Sequence, residues 1–123
     1  MDWTTKHCVP CEGGVPKMSP DAARQALRAL DGWDAQDGWT RIHKHYRFRD
    51  FKEAMRFVDA MACLAEGEGH HPDFRVHYDT VDVELWTHAI GGLFDNDFIL
   101  AAKLDALPEA SAGIAPAPRR DAH

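Results

Sequence analysis

The segment DFKEAMRFVDAMACLAEGEGHHPDF, residues 50 to 74, decides the fold because it joins a helical pattern to an extended one. Asp50 is a residue type that caps helices, and a helix is predicted over residues 51–66. Apolar residues recur in it at three- and four-residue steps and form the wide stripe of an amphipathic helix: Phe51, Ala54, Met55, Val58, Ala62 and Ala65.

Two adjacent histidines follow this helix. Gly67 and Gly69 are predicted to end it, and Pro72 favours an extended backbone at the residue before it. His70 and His71 are therefore expected at a junction between a helix and a strand.

A β-hairpin is predicted on each side of the helix. Asp37-Gly38 supplies the positive φ angles of a tight turn, which pairs residues 33–36 with 39–48. The second hairpin pairs 74–78 with 81–88. Alternation along its second strand predicts Val81, Val83 and Leu85 on one face, and Asp82, Glu84, Trp86 and His88 on the other.

Two further helices complete the predicted order α-β-β-α-β-β-α. Ser19-Pro20 is typical of a helix start, and Gly32 is expected to end that helix. A third helix is predicted over about 97–107. Two hairpins joined by a helix favour the α+β class, with a four-stranded antiparallel sheet and three helices on one face.

The ends of the chain have a different composition from its middle. Residues 1–18 are rich in Cys, Pro and Gly and are expected to form an irregular lead-in. Residues 108–123 are rich in Ala, Pro and charge and are expected to be a disordered tail. A single domain is therefore predicted over residues 19–107.

Composition limits the possible functions. The chain has 123 residues, 45% of them hydrophobic, and a formal net charge of −6. One compact domain is expected, without the clustered Lys and Arg that nucleic acid or an anionic membrane would require. No apolar run is long enough to span a bilayer, and the start resembles no signal peptide, so a cytoplasmic protein is predicted.

The histidine junction allows three interpretations: a metal site, an acid/base pair or a polar loop. Adjacent residues of an extended chain point to opposite sides, which is unfavourable for holding one metal ion together. Imidazole exchanges protons near neutral pH, which favours acid/base chemistry. His88 could approach the junction across the second hairpin, and Glu66 could orient one ring.

Other candidate residues are less informative. His43 and His45 alternate along a predicted strand and are expected on a solvated or subunit-contacting face. His7, Cys8 and Cys11 could form half a zinc site or a redox pair, but a second ligand pair is missing. Phe74, just beyond the histidines, could either pack or stack on a flat ligand.

One long pattern is more specific than any of these features. The chain resembles the pterin-4a-carbinolamine dehydratases (4a-hydroxytetrahydrobiopterin dehydratases) over roughly residues 30–107. The signature consists of Glu66-x-x-x-His70-His71-Pro72, then five residues to Tyr78, nine more to His88 and eight more to Asp97.

This resemblance implies an enzyme that dehydrates 4a-hydroxytetrahydropterin to quinonoid dihydropterin and so recycles the pterin of aromatic amino acid hydroxylases. It implies catalytic roles for His70, His71, His88 and Glu66. Our hypothesis is that His70 and His88 form the acid/base pair and that His71 binds the pterin, and the position of Phe74 makes it a candidate for binding the substrate by stacking. No metal or cofactor is expected beyond the pterin substrate. The resemblance also implies a homodimer or homotetramer, functionally coupled to a hydroxylase.

The sequence leaves three alternatives open. Phe94 occupies a position where the family commonly has Ser or Thr as a helix cap, so Asp95 or Asn96 is expected to cap the third helix instead. Some relatives are binding or assembly proteins on the same fold, which gives a non-catalytic alternative. A small metal-binding protein that uses His7, Cys8 and Cys11 is a third possibility.

Overall fold

The computed structural model describes residues 2–10 and 16–112. Its four strands form one antiparallel sheet in the order β1-β2-β4-β3. The strands are β1 (Asp34–Gln36), β2 (Arg41–Arg47), β3 (Asp73–His77) and β4 (Thr80–Leu85), and the helices are α1 (Pro20–Leu27), α2 (Phe51–Glu68), α3 (Asp95–Asp105) and α4 (Pro108–Ala112). The α+β class and the antiparallel sheet are confirmed, and α4 is an additional short helix.

The two faces of the sheet differ in polarity. Val81, Val83 and Leu85 of β4 are fully buried with the helices, as their alternation predicted. Residues of the opposite face form polar pairs instead. The Arg41 guanidinium lies 2.7 Å from the Glu84 carboxylate, and His43 and His45 both contact the Asp82 carboxylate, at 3.0 and 2.7 Å.

Helix α2 begins where the sequence predicted and ends two residues later. The Asp50 carboxylate accepts a hydrogen bond from the Glu53 amide at 2.9 Å, which caps the first turn. Gly67 stays helical, and the chain leaves the helix at Gly69, whose φ of 68° is in the left-handed region. A glycine inside a helix costs only about 1 kcal/mol relative to alanine, so Gly67 alone did not stop it.

Helix α3 begins without a side-chain cap. Phe94 is the cap residue by backbone conformation, so the prediction of Asp95 or Asn96 as the cap is wrong. The Asp97 carboxylate accepts the Phe94 amide at 3.0 Å, which is the half of a capping box that needs no polar side chain at the cap. Asp97 thereby supplies the side-chain hydrogen bond at the helix start.

Trp3 anchors the described N-terminal residues to the core. Trp3–Thr5 form a 3-10 helix, and the Trp3 ring is only 5% exposed and stacks on Phe98 with centroids 5.7 Å apart. The Met18 amide donates to the Leu93 carbonyl at 2.8 Å. Where an irregular lead-in was expected, the part of it that the structure describes packs against α3.

The C-terminal side departs from expectation at its start. Pro108–Ala112 form α4, and Ala110 is buried, so the expectation of disorder is wrong for these five residues. Residues 113–123 lie outside the described part of the chain, and the domain limits stay a prediction. Within residues 2–10 and 16–112, no helix has the length and apolar character needed to cross a bilayer.

Candidate active site

A pocket of about 360 Å³ opens between the C-terminal end of α2, the turn after β4 and the start of α3. The structure brings His70, His71 and His88 together on its wall, as the sequence predicted for the three imidazoles. The residues that line the pocket are Val9, Gly69, His70, His71, Thr87, His88, Ala89 and Asn96.

His70 is the most enclosed imidazole of the three. Its Nε2 lies 2.7 Å from Oδ1 of Asp97, which is fully buried. Oδ2 of the same carboxylate accepts the Thr87 hydroxyl at 2.9 Å and the Phe94 amide at 3.0 Å. A carboxylate only accepts, so Nε2 of His70 is assigned as the donor, and in the neutral ring Nδ1 carries the lone pair.

From the sequence, Asp97 was expected only to cap helix α3. A second role was indicated by the family signature, because Asp97 is the last residue of the signature that also contains His70. A carboxylate in the first turn of α3 can cap the helix with one oxygen and hold an imidazole with the other. That division of the two oxygens depends on the tertiary structure and could not be derived from spacing.

His71 has a more exposed environment. Its Nε2 lies 2.8 Å from Oε1 of Glu66, and the side chains are 63% and 81% exposed. Glu66 therefore contacts the ring that follows it by five residues, in agreement with an orienting role. Solvent competes for both groups, so this pair holds the His71 ring more weakly than Asp97 holds His70.

His88 does not lie on a strand, in contrast to the prediction. β4 ends at Leu85, and His88 begins a 3-10 helix, His88–Ile90, because Thr87 pairs with Gly92 and turns the chain. The His88 ring stacks on Trp86 with centroids 3.9 Å apart.

Trp86 and Asp73 together position the His88 ring. The Trp86 indole donates to Oδ2 of Asp73 at 2.8 Å, and the same oxygen lies 3.6 Å from Nε2 of His88. The Arg41 guanidinium lies 4.3 Å from the centre of the Trp86 ring. A tryptophan held by these polar contacts gives the exposed imidazole a fixed apolar surface.

Phe74 is not brought to this pocket. It lies on β3 opposite Val83, its side chain is 48% exposed, and it is absent from the residues that line the histidine pocket. The suggestion that it stacks on a bound ring stays a prediction.

The N-terminal segment supplies a part of the wall that no sequence signal indicated. The Val9 amide donates to Oδ1 of Asn96 at 2.9 Å, and Nδ2 of Asn96 donates to the Val9 carbonyl at 2.7 Å. One residue earlier, the Cys8 amide donates to Oε1 of Glu68 at 2.8 Å. Turn-forming residues surround Cys8 and Val9 and give no periodic pattern, so these contacts could not be predicted from the sequence.

The environment of Cys8 favours a neutral thiol. Burial, followed by the nearby Glu68 carboxylate, raises the pKa of the thiol to about 12. The thiol lies 3.5 Å from the Asn96 carbonyl. Cys11 lies outside the described residues. Within the described ranges, no group of three His, Cys, Asp or Glu side chains is placed to hold a metal ion.

Comparison with known proteins gives the same family from sequence and from structure. The model of the pterin 4 alpha carbinolamine dehydratase family matches residues 16–107. A Nitrosospira multiformis protein named after this dehydratase is 48% identical over 106 residues, which cover 86% of this chain and 92% of the relative.

Two solved structures are similar to the fold. One is a Brucella melitensis protein described as a transcriptional coactivator/pterin dehydratase, with a TM-score of 0.72, 37% identity and coverage of 77% of this chain and 99% of that one. The other is a pterin dehydratase-like protein described as a RuBisCO assembly factor of the α-carboxysome, with a TM-score of 0.56, 25% identity and coverage of 65% and 90%.

An antiparallel α+β domain with three imidazoles around one open pocket defines the class of protein. The chain belongs to the pterin-4α-carbinolamine dehydratase family.

Proposed function

We propose that the chain dehydrates 4a-hydroxytetrahydropterin to quinonoid dihydropterin and water. In this reaction the C4a–O bond breaks, the leaving oxygen takes up a proton, and N5 loses one as the C4a=N5 double bond forms. No electrons are exchanged with a second reactant. The protein must therefore supply one proton donor and one proton acceptor beside the same ring.

The observation that carries this proposal is the contact between His70 and Asp97. Because Nε2 donates to the buried carboxylate, Nδ1 of the neutral ring is the free basic nitrogen, and once protonated it becomes an acid at the same position. The arrangement fixes the tautomer and the ring orientation together. His70 is thus suited to general acid/base catalysis.

His88 is the second member of the proposed acid/base pair. It lines the same pocket from a different element, so a substrate bound in the pocket would have two imidazoles in its wall. His71, held by Glu66, would bind the pterin and polarise the hydroxyl group. The two epimers of the substrate at C4a could exchange the roles of His70 and His88.

A second candidate function is that of a non-catalytic binding or assembly protein. The assembly-factor relative with a similar fold favours it. A pure binding protein has no need of a buried carboxylate that fixes one imidazole tautomer, so the contact between His70 and Asp97 favours the enzyme. Cytoplasmic location, a dimer or tetramer, and coupling to a hydroxylase stay predictions.

The decisive experiment generates the 4a-hydroxytetrahydropterin in place with a phenylalanine hydroxylase and follows its decay by ultraviolet absorbance. Wild-type protein should accelerate the decay, and His70→Ala should weaken the effect by about 10²- to 10⁴-fold, the usual contribution of one acid/base group. The double variant His70→Ala/His88→Ala should retain little activity.

His45→Ala is the matched control. His45 is about as exposed as His88, at 54% against 58%, and contacts a carboxylate, but it lies on the outer face of the sheet. The His45→Ala protein should accelerate the decay at the wild-type rate. A folded wild-type protein that does no better than buffer would disprove the enzyme and favour the binding protein.

A further inference from the structure

Val9 is an exposed residue whose backbone is held in place by hydrogen bonds. It is 53% exposed and lines the histidine pocket, yet its backbone N–H donates to one side chain and its carbonyl accepts from the same side chain. That side chain, Asn96, is buried. An exposed apolar residue on a free terminal segment would move with it, whereas here the backbone position of Val9 is fixed relative to the pocket.

The anchor of Val9 is next to the anchor of His70. Asn96 and Asp97 are consecutive residues in the first turn of α3, and they hold the wall residue and the imidazole respectively. The segment is also held at Cys8 by Glu68, which is in turn bound by Lys103 at 2.7 Å. The first turn of α3 therefore fixes the position of Val9 relative to His70.

Val9 differs chemically from the other residues of the pocket wall. Those residues are three imidazoles, one amide, one hydroxyl, a glycine and an alanine, so Val9 is the largest hydrocarbon side chain among the described residues that line the pocket. A tetrahydropterin has a polar pyrimidine edge and, on the opposite ring, saturated carbons C6 and C7. Hydrogen-bonding side chains suit the first edge, and a hydrocarbon wall suits the second.

We propose that Val9 packs against the C6–C7 edge of the pterin and determines which substituent at C6 the pocket accepts. This inference rests on the proposed function and adds a specificity residue to it, on a segment that lies outside the residues matched to the family. Val9 contacts the part of the ring that does not react. Its contribution is therefore to substrate binding and not to proton transfer.

The test compares Val9→Ala and the isosteric Val9→Thr with wild type, using 4a-hydroxytetrahydropterins that carry hydrogen, methyl or dihydroxypropyl at C6. Val9→Ala should raise KM for the methyl substrate by up to about tenfold, the effect of one to two buried methyl groups, and leave kcat unchanged. Val9→Thr should lower the preference for methyl over dihydroxypropyl, because only polarity changes.

Val76→Ala is the control, because it removes the same two methyl groups from a valine on β3 away from the pocket. It should leave KM unchanged for all three substrates. Deletion of residues 2–10 is unsuitable, since it would also remove Trp3 from the core. Thermal unfolding of each variant confirms that the fold is retained.

Calorimetric titration with stable 6-methyl-7,8-dihydropterin separates this inference from the proposed function. If wild type is active but Val9→Ala changes neither KM nor Kd, the inference is wrong and the function stands. If wild type is inactive but binds the pterin with a Kd that Val9→Ala weakens, the dehydratase function is wrong and only the contact between Val9 and the pterin stands. Absence of both activity and binding overturns both.

Discussion

Nε2 of His70 and Oδ1 of Asp97 lie 2.7 Å apart, although 26 residues separate them in the chain. The other oxygen of Asp97 binds Thr87 and the Phe94 amide, so one buried carboxylate joins the start of α3, the turn after β4 and the junction after α2. The site and the packing of its three supporting elements therefore depend on the same group.

Asp97→Asn should preserve the fold and reverse the tautomer of His70. The amide oxygen is needed by the two donors Thr87 and Phe94, so the NH₂ group faces His70 and donates to Nε2. The neutral ring then carries its proton on Nδ1 and can no longer act as a base towards the pocket. We expect kcat to fall by about 10²- to 10⁴-fold, measured in the decay assay.

Nitrogen NMR of labelled histidine provides a readout of this tautomer that is independent of activity. In Asp97→Asn, Nδ1 of His70 should show the chemical shift of a protonated ring nitrogen and Nε2 that of an unprotonated one, the reverse of wild type. Asp95→Asn changes an exposed residue in the same helical turn and should keep the wild-type shifts. Unchanged kcat with an unchanged tautomer would contradict the proposed role. Asp97→Ala should instead lose about 1–3 kcal/mol of stability for each buried donor that it leaves unpaired, the Thr87 hydroxyl and the Phe94 amide.

Trp86→Leu should reduce kcat by disordering His88. Loss of a stacked ring pair removes about 0.5–1.5 kcal/mol. The population of correctly oriented His88 rings should therefore fall by at most about tenfold. The effect should therefore be smaller than that of His88→Ala. Trp39→Leu is the control. The Trp39 ring also contacts an arginine, since the Arg24 guanidinium lies 4.9 Å from its centre, but it lies away from the pocket. Equal effects at both positions would contradict this explanation.

Local patterns were sufficient to predict much of the fold. Alternation identified the buried face of β4, and Asp50 identified the start of α2, because both depend on neighbouring residues. The imidazole of His88 was predicted in the correct region but on the wrong element. The pairing of Thr87 with Gly92, which ends the strand early, involves no side-chain signal.

The remaining features depend on contacts between distant residues. Trp3 packs on Phe98, and Asn96 binds Val9, across more than 80 residues of sequence. A segment rich in turn formers gives no periodicity from which such contacts could be derived. The role of Asp97 was missed for a related reason, since a capping carboxylate and an imidazole partner have the same sequence signal.

Gly92→Ala should destabilise the protein, whereas Gly67→Ala should stabilise it. A Cβ atom at Gly92 would lie 2.8 Å from Cβ and Cδ of Lys17, so one of the two backbone segments must move, at a cost of about 1–3 kcal/mol. Gly67 is helical with open space around it, and alanine there should add about 0.5–1 kcal/mol.

Urea unfolding of the two variants checks the sign of each effect. The pair is matched, since the same methyl group is added at two glycines with negative or extended backbone angles. A destabilised Gly67→Ala would mean that the end of α2 needs the flexibility of glycine. An unchanged Gly92→Ala would mean that Lys17 does not pack closely on the turn in solution.

Acidification should weaken the attachment of the N-terminal segment through Glu68. Burial alone would raise the pKa of this carboxyl, but hydrogen bonds from Lys103, the Cys8 amide and His7 outweigh burial and lower the pKa from 4.5 to about 2. The folded protein therefore binds this proton less readily than the unfolded chain does. Stability from Glu68 is fully present above about pH 4.5 and is lost as the pH falls towards 2.

Glu68→Gln isolates this contribution. The free energy of unfolding should be lower than that of wild type at pH 6, and the difference should shrink between pH 4.5 and 2, because protonation gives wild type a neutral side chain as well. Other carboxyls titrate in both proteins and cancel in the difference. Asp59→Asn, at an exposed position of the same helix, should show no such convergence. A difference that stays constant with pH would show that Glu68 is held by packing and not by its charge.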